Sequence, residues 1–507
     1  MNKKDIILAM LSGVLLALAF PKFDLEPLAW IGLVPLLLSL KGKNPLQSIY
    51  LGIAGGLAFY LILLYWIPVP ITMYGKLPLP AGIFLLFLLS LYLSLYTATF
   101  AFLASYLRTK TGIPIIILAP FTWVSLELLM TYLLTGFPWG LLGYSQYMSL
   151  HVIQIADITG VYGISFVVVM VNAGIYRVLE RYMEGLPFWG GRSVWAALFI
   201  LLTTVSYGYW RLNQVGAYSH TPLQVGIIQG NIDQDHKWEP EYQRETLDTY
   251  LGLSKKVSEG GVDLIVWPET AVPLYFQDDD IYRPDILKAA KEMNSYIFFG
   301  SPAYSRYDEE VRYYNSAYLI SPDMDVIGRY DKLHLVPFGE YVPLKKLLFF
   351  VNKLTEGIGD FSTGDRVEIL DMPRAKIGTL ICYEGVFPNL VRKSVKEGAT
   401  LLVNITNDAW FGRTSAPYQH LSMYALRAVE NRLPVVRAAN TGVSAFIDNT
   451  GRITSRTEIF EQAYLKGTVA VSDYKTFYTR FGDIFAYLCA VITSLFLLKV
   501  VFKRPAS

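Results

Sequence analysis

Of 507 residues, 53% are hydrophobic and 14% aromatic while only 17% carry charge, well below the roughly 25% of ordinary soluble domains, so much of the chain is built for lipid. The 44 basic and 42 acidic side chains leave a net charge of +2, and no basic run interleaves with aromatics, which excludes nucleic acid as a partner. Two cysteines, Cys382 in a polar region and Cys489 in an apolar one, exclude a disulfide framework.

Apolar stretches occupy 6–20, 28–40, 49–66, 81–107, 113–134, 152–179, 194–210 and 484–501. A helix needs about 20 residues to cross a bilayer. The pattern therefore predicts a polytopic helical bundle of about eight spans, the first two short enough to tilt or to form a hairpin. Gly52 and Gly56 have the spacing that lets helices approach closely. Glu127 and Asp157 fall at or near membrane depth, where a carboxylate is either functional or structurally paired; no cation stands near either in sequence.

With the N-terminus inside, Lys3, Lys4, Lys41, Lys43, Arg108, Lys110, Arg177, Arg181, Arg192, Lys499, Lys503 and Arg504 fall on the inner side. The outer loops before the polar region hold only Lys22 and Lys76. That asymmetry obeys the positive-inside rule. Because an odd number of spans precedes the polar region, it is expected outside the cytoplasmic membrane, with both termini inside. A competing reading takes the first 20 residues as a cleaved signal peptide, with Ala17-Leu18-Ala19 at the cleavage site; it leaves the polar region on the same side.

Composition divides the chain into a bundle at 1–213, a polar domain at 222–475 and a closing helix at 483–502. Within the polar domain, β-branched runs such as LQVGIIQG, VDLIVWPE, YIFFG, KIGTLICYE, TLLVNITND and PVVRAAN alternate with helical stretches near 240–260, 284–293, 388–397 and 418–431. This alternation predicts an α/β domain. Glu269 follows LIVWP, Lys332 follows the strand ending Arg329-Tyr330-Asp331, and Cys382 closes GTLI ahead of Tyr383 and Glu384. Ligands in α/β folds bind beyond the carboxyl ends of strands, so a carboxylate, an ammonium and a thiol can converge there. Such a trio suits acyl transfer: the carboxylate takes the thiol proton, and the ammonium stabilises a tetrahedral oxyanion. Taken singly, Glu269 could instead cap a helix, Lys332 be a solvated loop charge and Cys382 a strand-end core residue.

The segments IVWPET, YDKLHLVPFGEYVP, GTLICYEGVFP and NITNDAWFG stand in the order and spacing of the Glu-Lys-Cys enzymes, and residues 223–472 resemble the nitrilase, or carbon-nitrogen hydrolase, superfamily. Together with TGFPWG, GYSQ and GVYGISF in the apolar half, they make nearly the whole chain similar to the apolipoprotein N-acyltransferase family. The resemblance implies an α-β-β-α sandwich outside the membrane and a ping-pong reaction. A phospholipid acyl chain would pass to the cysteine, then to the α-amino group of an S-diacylglyceryl-cysteine at a lipoprotein N-terminus, with no cofactor and no metal. It also implies that Glu269 is base and acid, Lys332 the stabiliser of the intermediate and Cys382 the nucleophile. Glu340 corresponds to a second carboxylate of the site, and Tyr383, Glu384 and Trp238 correspond to positions tied to substrate handling. The enzyme is expected to work as a monomer in the bacterial inner membrane.

A thioester that must outlive water needs apolar shielding. The segment 343–351, with Lys345 and Lys346 among Leu and Phe, fits a bilayer-surface shield, and Trp410 and Phe411 fit either an acyl groove or the core. The five histidines lie without HExxH or zinc spacing, although His334 stands two residues past Lys332. The rival functions are a membrane-tethered amidase acting on a small amide, and a scaffold or transport component without catalysis.

Overall fold

A computed structural model of the chain describes residues 1–187, 192–214, 221–234, 236–307, 310–337, 339–341 and 361–502; the proposed shield at 343–351 lies outside them. The chain forms two compact units. One comprises Met1–Pro68, Leu79–Asn213 and Phe481–Ser507, the other Val69–Pro78 and Gln214–Arg480.

In the first unit, six helices among the described residues are long and apolar enough to cross a membrane: Pro45–Leu63, Leu79–Thr111, Ile115–Thr135, Val161–Met183, Ser193–Gln214 and Ile484–Phe502. The first two apolar stretches form instead the 16-residue helix Lys3–Leu18 and two short pieces, Glu26–Trp30 and Val34–Ser39. The Ser12 hydroxyl donates to the Gly32 carbonyl at 2.5 Å and ties the two legs together. The span expected at 152–179 begins late, at Val161, because Gly160 at φ +64° ends the short helix Ala156–Thr159. The helix Leu79–Thr111 has 33 residues, about 50 Å at 1.5 Å per residue, and must tilt or protrude from a hydrocarbon core about 30 Å thick.

Small residues set the helix spacing. A Cβ on Gly52 would lie 2.5 Å from Ala98 Cα, and one on Gly56 2.6 Å from Ser94 Cβ, so this pair seats Pro45–Leu63 directly against Leu79–Thr111. Both intramembrane carboxylates are engaged. Glu127 accepts from Trp123 Nε1 at 2.9 Å and from Leu142 N at 2.7 Å. Asp157 accepts from Tyr207 Oη and Arg211 Nε, each at 2.8 Å. Arg211 is the cation that the local sequence around Asp157 does not supply.

The second unit contains β1 (Thr221–Gln229), β2 (Leu264–Val266), β3 (Tyr296–Tyr307), β4 (Glu310–Ile320), β5 (Val326–Asp331), β6 (Ile369–Met372), β7 (Ala375–Ile381), β8 (Leu401–Thr406), β9 (Val435–Ala439), β10 (Ala445–Ile447), β11 (Ile453–Arg456) and β12 (Ala463–Val471). They build two six-stranded sheets, ordered β12-β1-β2-β3-β4-β5 and β11-β10-β9-β8-β7-β6. Leu223, Val225 and Phe298 of one sheet meet Ile377, Val403 and Val436 of the other in a shared core. The helices Pro240–Ser258 and Arg283–Met293 cover the outer face of the first sheet, and Pro388–Lys396 and Ala416–Asn431 that of the second. This is the expected α-β-β-α order.

The central strands β7, β8 and β9 run parallel and are buried along almost their whole length, which is why their sequences read as continuous apolar runs. Edge strand β12 alternates half-buried or buried positions with exposed ones along its length, the period-2 signature of a half-covered strand. Since β5 is antiparallel to β4, and β4 to β3, strands β2, β3 and β5 point the same way. Their carboxyl ends share one edge.

Candidate active site

Glu269 stands just past β2, Lys332 directly after β5 and Cys382 directly after β7. Each is delivered by the carboxyl end of a strand, β2 and β7 being buried and β5 largely not, and the connecting side chains draw them together. The Glu269 carboxylate accepts from Asn315 Nδ2 through Oε1 at 2.7 Å and from the Asn407 backbone N–H through Oε2 at 2.8 Å. Lys332 Nζ lies 3.7 Å from Glu269 Oε1 and 2.9 Å from Glu340. Asn315 also donates to Glu340 at 2.8 Å, and Val336 N donates to the other Glu340 oxygen at 2.8 Å. A single lysine thus sits between two carboxylates that Asn315 bridges. Burial alone would lower the Lys332 pKa, but Glu340, then Glu269 and Cys382, hold it well above the ordinary value. It stays an ammonium.

Cys382 adopts φ +52°, the left-handed region that costs a side-chain-bearing residue about 1–2 kcal/mol. Its carbonyl is held by two donors, Tyr424 Oη at 2.9 Å and His420 Nε2 at 3.2 Å. Burial pushes the thiol pKa far up, Glu269 adds to the rise, and Lys332 opposes it. The resting group is therefore a protonated thiol.

His420 belongs to a buried chain of polar groups. Its Nδ1 lies 3.2 Å from Asp408 Oδ1 and 3.1 Å from Arg437 NH2, while Arg437 pairs with Asp408 at 2.6 Å and donates to Asn404. Burial, then the adjacent Arg437, lowers the His420 pKa, so the ring is neutral with its proton on Nε2, facing Cys382. Burial works against Asp408, yet Arg437 and His420 hold it down to about 2.

Glu384 has no exposed surface. It accepts from Ile381 N and Leu333 N, both at 2.7 Å, from His334 N at 3.2 Å and from Tyr330 Oη at 2.9 Å. It therefore ties the turn bearing Cys382 to the loop bearing Lys332. Tyr383 is buried beside Phe387, the ring centroids 5.0 Å apart, and Trp238 is 37% exposed. The His334 ring lies against Phe387 at 3.9 Å. Burial and Lys332 push its pKa down to about 4, which leaves a neutral imidazole. Trp410 is met edge-on by Tyr74 at 4.5 Å, within the same unit.

Sequence reading did not single out Asn315, Asn407, Asp408, His420, Tyr424, Arg437 or Lys237. Two signals were available. Arg437 is a charge inside an otherwise apolar run, and Asn315 is an amide on the strand face that Ala317 and Leu319 give to the core; neither signal names a partner. Among the described residues no cluster of His, Cys, Asp and Glu could hold a metal ion.

Residues 12–174 match the model for the apolipoprotein N-acyltransferase N-terminal domain, and residues 224–478 that for carbon-nitrogen hydrolases. The chain is 49% identical to an apolipoprotein N-acyltransferase of Geobacter metallireducens, over 97% of this chain and 95% of the relative. It is 32% identical to that of Rickettsia typhi, over 98% and 99%, and 33% identical to that of Pasteurella multocida, over 95% and 92%.

Proposed function

The chain belongs to the apolipoprotein N-acyltransferase family, and we propose on that premise that it moves an acyl chain from a membrane phospholipid, through a thioester on Cys382, to the α-amino group of the S-diacylglyceryl-cysteine that begins an apolipoprotein. The observation that carries this reading is the meeting of Glu269 and Lys332 from one sheet with Cys382 from the other, with Lys332 held as an ammonium by Glu340 and Glu269.

In the first half-reaction Glu269 takes the Cys382 proton as sulfur attacks the ester carbonyl. Lys332 faces the oxyanion, and the departing lysophospholipid oxygen leaves with the proton from Glu269. In the second, a neutral α-amine, whose ordinary pKa is about 8, attacks the thioester. Glu269 accepts its proton and returns it to the leaving sulfur. Proton transfer of this kind contributes about 10²–10⁴-fold, and an oxyanion donor about 2.7–4 kcal/mol. Asn315 and Asn407 aim the Glu269 carboxylate, while Glu340 keeps Lys332 charged and in place. Glu384 fixes the Cys382 turn, and Tyr383 and Trp238 contribute to substrate handling.

The amidase reading is not favoured, because relatives of this name match across the apolar half as well as the sandwich. The protein is a bacterial membrane protein. We place it as a monomer in the inner membrane, with the catalytic unit outside and both termini inside. The Lys and Arg asymmetry supports that orientation. So does parity: five of the six long helices precede the sandwich, and a helical hairpin at the N-terminus leaves the count odd whether or not it spans.

The test is incubation of the detergent-purified protein with phospholipid bearing a labelled acyl chain. Hydroxylamine-labile label on the wild type but not on Cys382→Ala, released as amide by a diacylglyceryl-cysteine peptide, is the expected result. No label, with hydrolysis of a small amide, would overturn the reading in favour of the amidase.

A further inference from the structure

Lys237 is the last residue but one of the GNIDQDHKW segment after β1, and only 1% of it is exposed. Its Nζ donates to the main-chain carbonyl of Glu269 at 3.1 Å. A buried ammonium is expensive unless its charge is matched; the carboxylate acting on this one is that of Glu269 itself. The loop is anchored well enough to place the charge. Asn231 N donates to Asn440 O at 3.0 Å, Ile232 N to Asn440 Oδ1 at 2.9 Å, and Asn440 Nδ2 to Ile232 O at 2.8 Å. Gln234 Oε1 accepts from Asn407 Nδ2 at 2.5 Å, and Asn407 is the residue whose N–H holds Glu269 Oε2.

Glu269 is therefore held at both ends, the carboxylate by Asn315 and Asn407 and the carbonyl by Lys237. The turn it occupies needs holding. Thr270 sits at φ +51°, and a Cβ on Gly300 would come within 2.7 Å of Glu269 Cα, so β3 packs closely on the turn whose carbonyl Lys237 holds.

We propose that Lys237 is a positioning residue for acyl transfer: its ammonium clamps the strained Glu269–Thr270 turn and places a second positive charge beside the base, so that thioester formation requires Lys237 to be protonated. The proposal rests on the acyltransferase reading above. The charged groups facing the clamp are Glu269 after β2 and, across that carboxylate, Lys332 after β5 and Glu340; from its own loop, Asp233 accepts the Lys237 N–H through its main-chain carbonyl at 3.1 Å. Burial draws the Lys237 pKa down to about 8, with Glu269 opposing the fall. The clamp thus loses its charge under mildly alkaline conditions, whereas the thiol, pushed far up by burial, does not titrate there.

The experiment is single-turnover formation of the Cys382 thioester by the full-length protein across about pH 6–9.5, with labelled phospholipid as donor and, separately, a p-nitrophenyl acyl ester, for wild type, Lys237→Arg and Lys237→Met. The expected wild-type rate falls above about pH 8. Lys237→Arg, charged throughout, loses that fall. Lys237→Met is slowed about tenfold or more at pH 7 and is flat with pH. A Lys237→Met protein that acylates at the wild-type rate, or a Lys237→Arg protein that keeps the wild-type alkaline fall, overturns the proposal. Acylation by the ester but not by phospholipid overturns the donor assignment alone, and Lys237 is then judged on the ester. A wild type inert to both donors overturns both.

Discussion

The Tyr424 hydroxyl donates to the main-chain carbonyl of Cys382 at 2.9 Å, holding the peptide of the proposed nucleophile from a helix 42 residues further along the chain. His420, one turn earlier on that helix, shares the acceptor. Two donors on one carbonyl stabilise a backbone conformation that cysteine would not adopt unaided. Tyr424→Phe leaves His420 in place and should cost about 1 kcal/mol of stability. Thioester formation should slow about 3–30-fold through misplacement of the sulfur. An acylation rate equal to wild type in a protein of unchanged melting temperature would remove any positioning role from this contact.

The three proposed reacting groups should fail in different ways. Cys382→Ala abolishes hydroxylamine-labile label. Glu269→Gln keeps the hydrogen-bonding shape but loses the base, lowering acylation about 10²–10⁴-fold. Lys332→Met removes the oxyanion partner and leaves Glu269 and Glu340 facing one another without their cation, a loss of about 3–5 kcal/mol in stability. Parallel thermal melts in detergent separate the cases: of the three, only Lys332→Met should unfold much earlier than wild type.

Asp408 gives the acid limb of stability. Its folded-state pKa of about 2 lies below the ordinary 3.8, so the unfolded chain binds the proton more tightly. Its contribution is present above about pH 4 and is lost as pH falls towards 2. The difference amounts to about 2 kcal/mol. Asp408→Asn should destabilise the protein at pH 7, by leaving the buried Arg437 with one carboxylate fewer, and should flatten the melting temperature between pH 4 and 2. An acid limb identical to wild type would count against the Asp408–Arg437 pair as its source.

The bundle offers a steric test. Gly52→Val introduces a Cβ only 2.5 Å from the Ala98 backbone, an atom that cannot turn aside. The helices Pro45–Leu63 and Leu79–Thr111 must separate, and overpacking of this kind costs about 1–3 kcal/mol. Gly42→Ala, at a position open to 4 Å but at φ +72°, is strained in its backbone alone and is expected to leave helix packing unchanged. Cysteine cross-linking between positions 43 and 105, where the Ser105 hydroxyl donates to the Lys43 carbonyl at 3.1 Å, would read the separation directly; identical cross-linking in both variants would rule out the close contact at Gly52.

Much of this architecture is readable locally because it is written at short period. Runs of 17 to 28 apolar residues mark the long helices, and a Gly at positive φ explains why the span at 152–179 starts late. The sandwich follows from short apolar strands alternating with amphipathic helices. The first apolar stretches leave a hairpin open as one possibility, and contacts such as that of Ser12 with Gly32 join its two legs.

What sequence alone determined is which residue types stand at the strand ends: a carboxylate at 269, an ammonium at 332 and a thiol at 382, within motifs that mark the family. Tertiary structure decided what surrounds them. Asn315 reaches Glu269 across 46 residues, the Asn407 N–H across 138 and Lys237 across 32, while Arg211 finds Asp157 across 54. The physical reason is that strand and helix identity depends on neighbours a few residues away, whereas the partner of a buried charge is set by which strand ends two packed sheets bring to the same edge.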